Sequence, residues 1–295
     1  MQKHQVPHLS VKEVIENRSV KLKTTNTDHS QPSQADYSHV LSILEAQELA
    51  YIEAGRLHKL NTINPMRTLS DTIGVEEMKA LYTSSFKGGS LNRDRILDSA
   101  QTKICLYCGR RDCSDLDHFL PKSVFAQFAV TPANLIPVCH QCNVKKSTGI
   151  FAEQIINPYF EDINRIPWLV CDTDISDGRL TAQFMIDFRW PDEVAPSPKF
   201  EAKIRKHFSL FKLASVYGLW ANEQISAYMP GWNAQIQGGN RKDLIAHFNY
   251  EIKILDEKES NQNNYEQVFK KALLNLFERA DFDECWRLID MTGYR

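Results

Sequence analysis

Cys105–Ser147 reads CLYCGRRDCSDLDHFLPKSVFAQFAVTPANLIPVCHQCNVKKS, and the rest of the chain is best understood outward from it. Two Cys-x-x-Cys pairs, Cys105/Cys108 and Cys139/Cys142, are separated by 30 residues. Each such turn aims two thiolates at one point, and two turns complete a tetrahedron around Zn²⁺. A redox role fits less well, because neither pair sits in a βαβ unit. Cys113 and His140 are near enough to be alternative ligands, while Cys171 and Cys285 read as buried core thiols.

Between and beside the pairs stand Asp117-His118, Asn134 and Asn143. Asp117-His118 closes a first apolar-polar stretch, and FLPKS opens a loop that runs to about Thr131-Pro132. Asn134–Cys139 then reads as a second strand. Asn143 onward reads as a short helix, with Gly149 as its stop signal. This order of strand, loop, strand and helix, with the flanking strings DHFLPKS, NLIPVC and CNVKKS, resembles the HNH endonuclease family in its four-cysteine zinc variety. The resemblance covers about 45 of the 295 residues.

The resemblance implies a ββα-metal fold and a role for each matching residue. His118 would be the general base, Asp117 a ligand of the catalytic metal, and Asn134 the residue that holds the loop and the base. Asn143 stands where the family's final His is expected, as in HNN-type members, and would be the second ligand. Elementary chemistry agrees with these roles. An imidazole can take a proton from water near neutral pH, and a carboxylate with an amide oxygen suits Mg²⁺ or Mn²⁺ better than Zn²⁺. Asn143 and Lys146 are three apart and share a helix face. Lys146 is therefore expected to contact phosphate, with Lys122 and Lys145 as weaker candidates.

The expected activity is hydrolysis of DNA phosphodiester bonds. The alternatives are a zinc-stapled module that binds nucleic acid or protein without cutting, and a nuclease directed at RNA. The INPYF and PWLV strings after the motif resemble stand-alone bacterial HNH proteins of anti-phage defence, such as the Septu nuclease subunit. That resemblance implies an ATPase partner.

Bulk composition is that of an ordinary globular protein, 42% hydrophobic and 24% charged, with a net charge of -2. Any nucleic-acid contact must then be local. Within 105–147 five basic residues (Arg110, Arg111, Lys122, Lys145, Lys146) outnumber three acidic ones. No signal-peptide core or membrane-length apolar run is seen, so a cytoplasmic protein is expected.

The flanks read as helical, and the expected class is α+β: a mainly helical protein carrying the zinc-stapled module and a small hairpin after it. Expected domains are 1–100 (arm, linker and helices), 101–150 (the module) and 151–295 (hairpin and helices). The linker is Thr24–Ser38. Helices are expected around 40–57, 74–81, 95–102, 200–229, 241–255 and 265–288, with KGGSLNRD (87–94) as a breaker. Strands are expected at 168–170 and 180–188, with a turn at Asp177-Gly178.

Overall fold

The computed structural model describes residues 4–23, 37–100, 102–147, 155–163, 168–187, 197–257 and 264–294. Gly149 and most of the expected linker, of the proline-rich connection and of the ESNQNN run fall outside the described residues. The chain divides into two compact units. One comprises Lys3–Glu161 with Ala202–His207, the other Asp162–Glu201 with Phe208–Arg295.

The first unit holds α1 (Val11–Lys23), α2 (Leu41–Arg56), α3 (Val75–Ser85), α4 (Leu91–Ser99), β1 (Asp115–His118), β2 (Leu135–Val138) and α5 (His140–Lys146). β1 and β2 are antiparallel, with Asp117 opposite Ile136 and His118 opposite Leu135. β2 is buried on both faces. Leu116 and Leu135 join Val14, Leu44, Met78, Leu81 and Ile96 in one apolar core, so the helices serve as a bed for the hairpin. KGGSLNRD is only partly a breaker. Ser90 Oγ accepts the Arg93 N–H at 3.3 Å and so starts α4 inside that string.

α1 begins with a capping box. Ser10 N–H donates to Glu13 Oε2 at 2.8 Å, and Glu13 N–H donates to Ser10 Oγ at 3.2 Å. A further donor at this end, Val11 N–H, is accepted by both oxygens of Glu48 from α2, at 3.1 and 3.2 Å. Burial pushes the Glu48 carboxyl up to about 7 from 4.5. A raised carboxyl is favourable while protonated and costs stability once ionised. The protein should therefore lose stability as pH climbs from about 4.5 to 7. Glu48→Gln should flatten that dependence and gain up to ~3 kcal/mol over wild type at pH 8. Thermal melts of both proteins at pH 5 and pH 8 check this, and an unchanged difference between the two pH values would refute it.

The second unit is built on the hairpin β3 (Leu169–Ser176) and β4 (Arg179–Ile186), paired from Leu169↔Ile186 to Ser176↔Arg179. Asp177 (φ 51°) and Gly178 (φ 75°) both take the left-handed conformation that a two-residue hairpin turn requires. β3 runs six residues past the expected Val170. The added DTDIS alternates, with only one face of the strand turned inward, so its apolar signal is weak. α6 (Pro198–Leu210) belongs to this unit at its two ends and to the first unit over Ala202–His207, and the remaining helices of this unit are α7 (Leu213–Gln237), α8 (Arg241–Glu257), α9 (Asn264–Glu278) and α10 (Phe282–Trp286). Two expected helices are split: Lys212 at φ 53° separates α6 from α7, and a turn separates α9 from α10. Trp232, Phe248, Phe277, Phe282 and Trp286 form a chain of ring contacts at 5.2–6.0 Å. Cys171 is buried, but Cys285, expected to be buried as well, is partly exposed and lies 3.5 Å from Asp281 Oδ2.

Among the described residues no helix is long and apolar enough to cross a membrane.

Candidate functional site

The two knuckles meet. The Sγ atoms of Cys105, Cys108, Cys139 and Cys142 lie within 4.8 Å of one another, and all four residues are buried. Four thiolates about 2.3 Å from a tetrahedral Zn²⁺ would stand roughly 3.8 Å apart, so the cluster could hold that ion with little adjustment. Local geometry builds each half. Gly109 at φ 64° lets the chain turn back after Cys108, with Gly109 N–H on Cys105 O at 2.8 Å. Cys139 caps α5, and its carbonyl accepts Cys142 N–H and Asn143 N–H at 3.1 Å each. Cys113 is outside the cluster, and His140 turns its Nδ1 to Asp115.

Asn134 closes the loop between the strands. Fully buried, its Oδ1 accepts Leu120 N–H at 2.8 Å while Nδ2 donates to Leu120 O at 3.0 Å and Phe128 O at 3.1 Å. One side chain thus ties the beginning of the loop to its middle. Replacing it with Ala would orphan three buried backbone groups at ~1–3 kcal/mol each. Asn134→Ala should lose roughly 3–5 kcal/mol in denaturant unfolding of zinc-loaded protein. A loss below about 0.5 kcal/mol would show that the loop is held otherwise.

Strand alternation places Asp115 and Asp117 on one face of β1 and Leu116 and His118 on the other. His118 is 7% exposed, and its Nε2 lies 2.8 Å from Ala129 O. A carbonyl only accepts, so Nε2 carries the proton and Nδ1 is the basic nitrogen. Burial, followed by the positive charge of Lys122, holds the imidazole well below its ordinary pKa, and it is neutral at pH 7. Tyr82 packs edge-on against the ring at 4.4 Å between centroids, and Lys122 Nζ lies 4.0 Å over Tyr82. Lys122 itself is half-buried.

The Asp115/Asp117 face meets α5. Asp117 accepts from Tyr107 OH at 2.7 Å, and Lys146 Nζ lies 3.0 Å from its Oδ2. Burial raises the Asp117 carboxyl, with Lys146 and Tyr107 opposing that rise. Lys146 also donates to His118 O at 2.6 Å. Asn143 Nδ2 donates to Asp115 Oδ2 at 2.9 Å, and His140 Nδ1 lies 3.0 Å from the same oxygen. Two residues along a strand advance ~6.6 Å, and three along a helix advance only ~4.5 Å along its axis. Lys146, with its longer reach, spans the remainder.

The expectation for Lys146 as a phosphate contact is therefore corrected: it is 1% exposed and is the internal counter-ion of Asp117. The spacing gave a shared face with Asn143 but not that this face turns inward. Lys145 remains partly exposed on α5. Sequence reasoning missed Tyr107, Tyr82 and Asp115 as neighbours of these residues, and it named His140 only as an alternative zinc ligand. Asp115 could have been found from its place two residues before Asp117. Tyr82, 36 residues before His118 in the chain, offered no local signal. Asp117 and the Asn143 amide oxygen are oxygen donors, which fits a hard divalent ion in type.

Residues 105–149 match the family model of the HNH endonucleases. Protein ea31 of Escherichia phage lambda is 23% identical over 260 residues, 83% of this chain and 81% of that protein. Septu protein PtuB of Bacillus thuringiensis is 38% identical over 69 residues, 21% of this chain and 26% of that protein. No solved structure matches.

Proposed function

Taking the HNH endonuclease match at 105–149 as premise, we propose that this protein is a metal-dependent nuclease that hydrolyses phosphodiester bonds in DNA. The observation that carries the reading is His118: a neutral imidazole with its tautomer set by Ala129 O, next in the chain to a buried carboxylate. Its Nδ1 takes the proton of the attacking water. Asn134 keeps the loop that supplies Ala129 in place, and Lys146 fixes the carbonyl of His118 and the carboxylate of Asp117. Mg²⁺ or Mn²⁺ held by Asp117 and Asn143 would neutralise charge on the phosphate and the departing 3′ oxygen. Lys122 and Lys145 remain the candidates for holding the phosphate backbone. Cys105, Cys108, Cys139 and Cys142 would hold Zn²⁺, which would staple the hairpin to α5 in a structural role.

Supercoiled plasmid incubated with the protein and Mg²⁺ or Mn²⁺ should become nicked and then linear, with 5′-phosphate ends, and EDTA should stop the reaction. DNA retarded in a gel under the same conditions but never cut would favour the non-cutting binding module. Cleavage of single-stranded RNA alone would move the substrate to RNA. The narrower role, an effector of anti-phage defence with an ATPase partner, rests on the 69-residue likeness to Septu protein PtuB. The longer likeness is to a phage protein and extends through both flanks, so the nuclease reading does not depend on the defence role.

A further inference from the structure

An amide ligand raises a difficulty that an imidazole or a carboxylate does not. Its oxygen can bind a cation and its NH₂ group cannot, so something must decide which of the two faces the metal. A hydrogen bond of Asn143 settles this. Its Nδ2 donates at 2.9 Å to Asp115 Oδ2, and an ionised carboxylate oxygen can only accept. The NH₂ group is thereby committed to Asp115, and Oδ1 is the atom left to turn away from it. Asp115 is in turn fixed by His140 Nδ1 at 3.0 Å on the same oxygen.

We propose that Asp115 is a positioning residue that sets the orientation of the Asn143 amide, so that Oδ1 is the atom offered to the divalent cation. This rests on the nuclease reading above. Asp117 lies one strand repeat further along, and its hydrogen-bond partners are Tyr107 and Lys146 rather than the Asn143 amide. The structural alternative is that Asp115 merely anchors the first turn of α5, where a negative charge is favourable in any case.

The test is Mn²⁺ binding by the full-length, zinc-loaded chain, read from the electron paramagnetic resonance signal of free Mn²⁺, with a thermal melt and zinc content measured on each variant. Outer partners of metal ligands are worth about 10–100-fold in affinity, so Asp115→Ala should weaken Mn²⁺ binding by about that much at unchanged zinc content. Asp115→Asn, whose side-chain oxygen can still accept from Asn143, should stay within a few-fold of wild type.

The decisive arm is Asn143→Asp, which replaces the amide with a group that has two oxygens and nothing to orient. In that background Asp115→Ala should weaken Mn²⁺ binding by a few-fold at most, the cost of removing one nearby negative charge, and far less than it does with Asn143 in place. Equal losses from Asp115→Ala in both backgrounds would overturn the proposal, as would wild-type affinity in Asp115→Ala. A fall in melting temperature with wild-type Mn²⁺ affinity would assign Asp115 to anchoring α5 alone. If the wild-type chain bound no Mn²⁺, the metal-dependent reading and this inference would fall together. If wild type binds and Asp115→Ala binds equally, only the inference falls.

Discussion

Cys108→Ser protein is expected to purify with little zinc and to melt far below wild type, with the 105–147 segment open to protease. Binding of a structural Zn²⁺ by four thiolates contributes on the order of 10–16 kcal/mol to folding at neutral pH. Whole domains are stable by only about 5–15 kcal/mol. Zinc shared by the two knuckles would also tie Cys105 and Cys108, ahead of β1, to the start of α5. β1 and β2 are four residues each, too short to hold a free-standing hairpin. The exchange of sulfur for oxygen removes one of four ligands and leaves a buried hydroxyl among three thiols. Zinc content by mass spectrometry and a melt with and without a chelator measure the effect. A Cys108→Ser protein with full zinc and a wild-type melt would show that the cluster is held by Cys105, Cys139 and Cys142 with some other group.

The second large effect is on catalysis. Loss of a positioned general base lowers rate by about 10²–10⁴, and His118→Ala should lose plasmid cleavage to that extent. This variant also leaves Ala129 O without its donor in a buried place, at ~1–3 kcal/mol, so reduced folding could be mistaken for lost chemistry. His118→Gln separates the two. Its amide NH₂ can still donate to Ala129 O, but it offers no basic nitrogen. The expected result is a melt near that of wild type, unchanged zinc, and cleavage reduced as far as in His118→Ala. Cleavage by His118→Gln at the wild-type rate would remove His118 from the mechanism while leaving the zinc module untouched.

Much of the site is legible in the residues themselves, because the relevant chemistry is local. The Cys-x-x-Cys spacing dictates a knuckle whatever surrounds it, and the pairing of the two knuckles follows from there being two. Asp177-Gly178 dictates a tight hairpin, because both positions must adopt positive φ. The helix splits at Lys212 and after Glu278 were not legible. Apolar spacing continues across them, and only packing shows where the chain turns. The full length of β3 was not legible for a related reason: DTDIS has one exposed face, and its strand character shows only when it is paired with β4.

Sequence alone determined the α+β class, the four-cysteine cluster and which residues of the module to test for chemistry, since these depend on residue type and on spacing along one short segment. Only the tertiary structure decided what each of them faces. It seats Lys146 on Asp117, gives Asn143 to Asp115, and sets the His118 tautomer through a carbonyl eleven residues away. Spacing specifies which residues share a face. Whether that face meets solvent or a buried strand depends on the shape and apolar surface of elements far off in the chain, and the burial that follows is what turns a surface lysine into a counter-ion and holds an imidazole neutral.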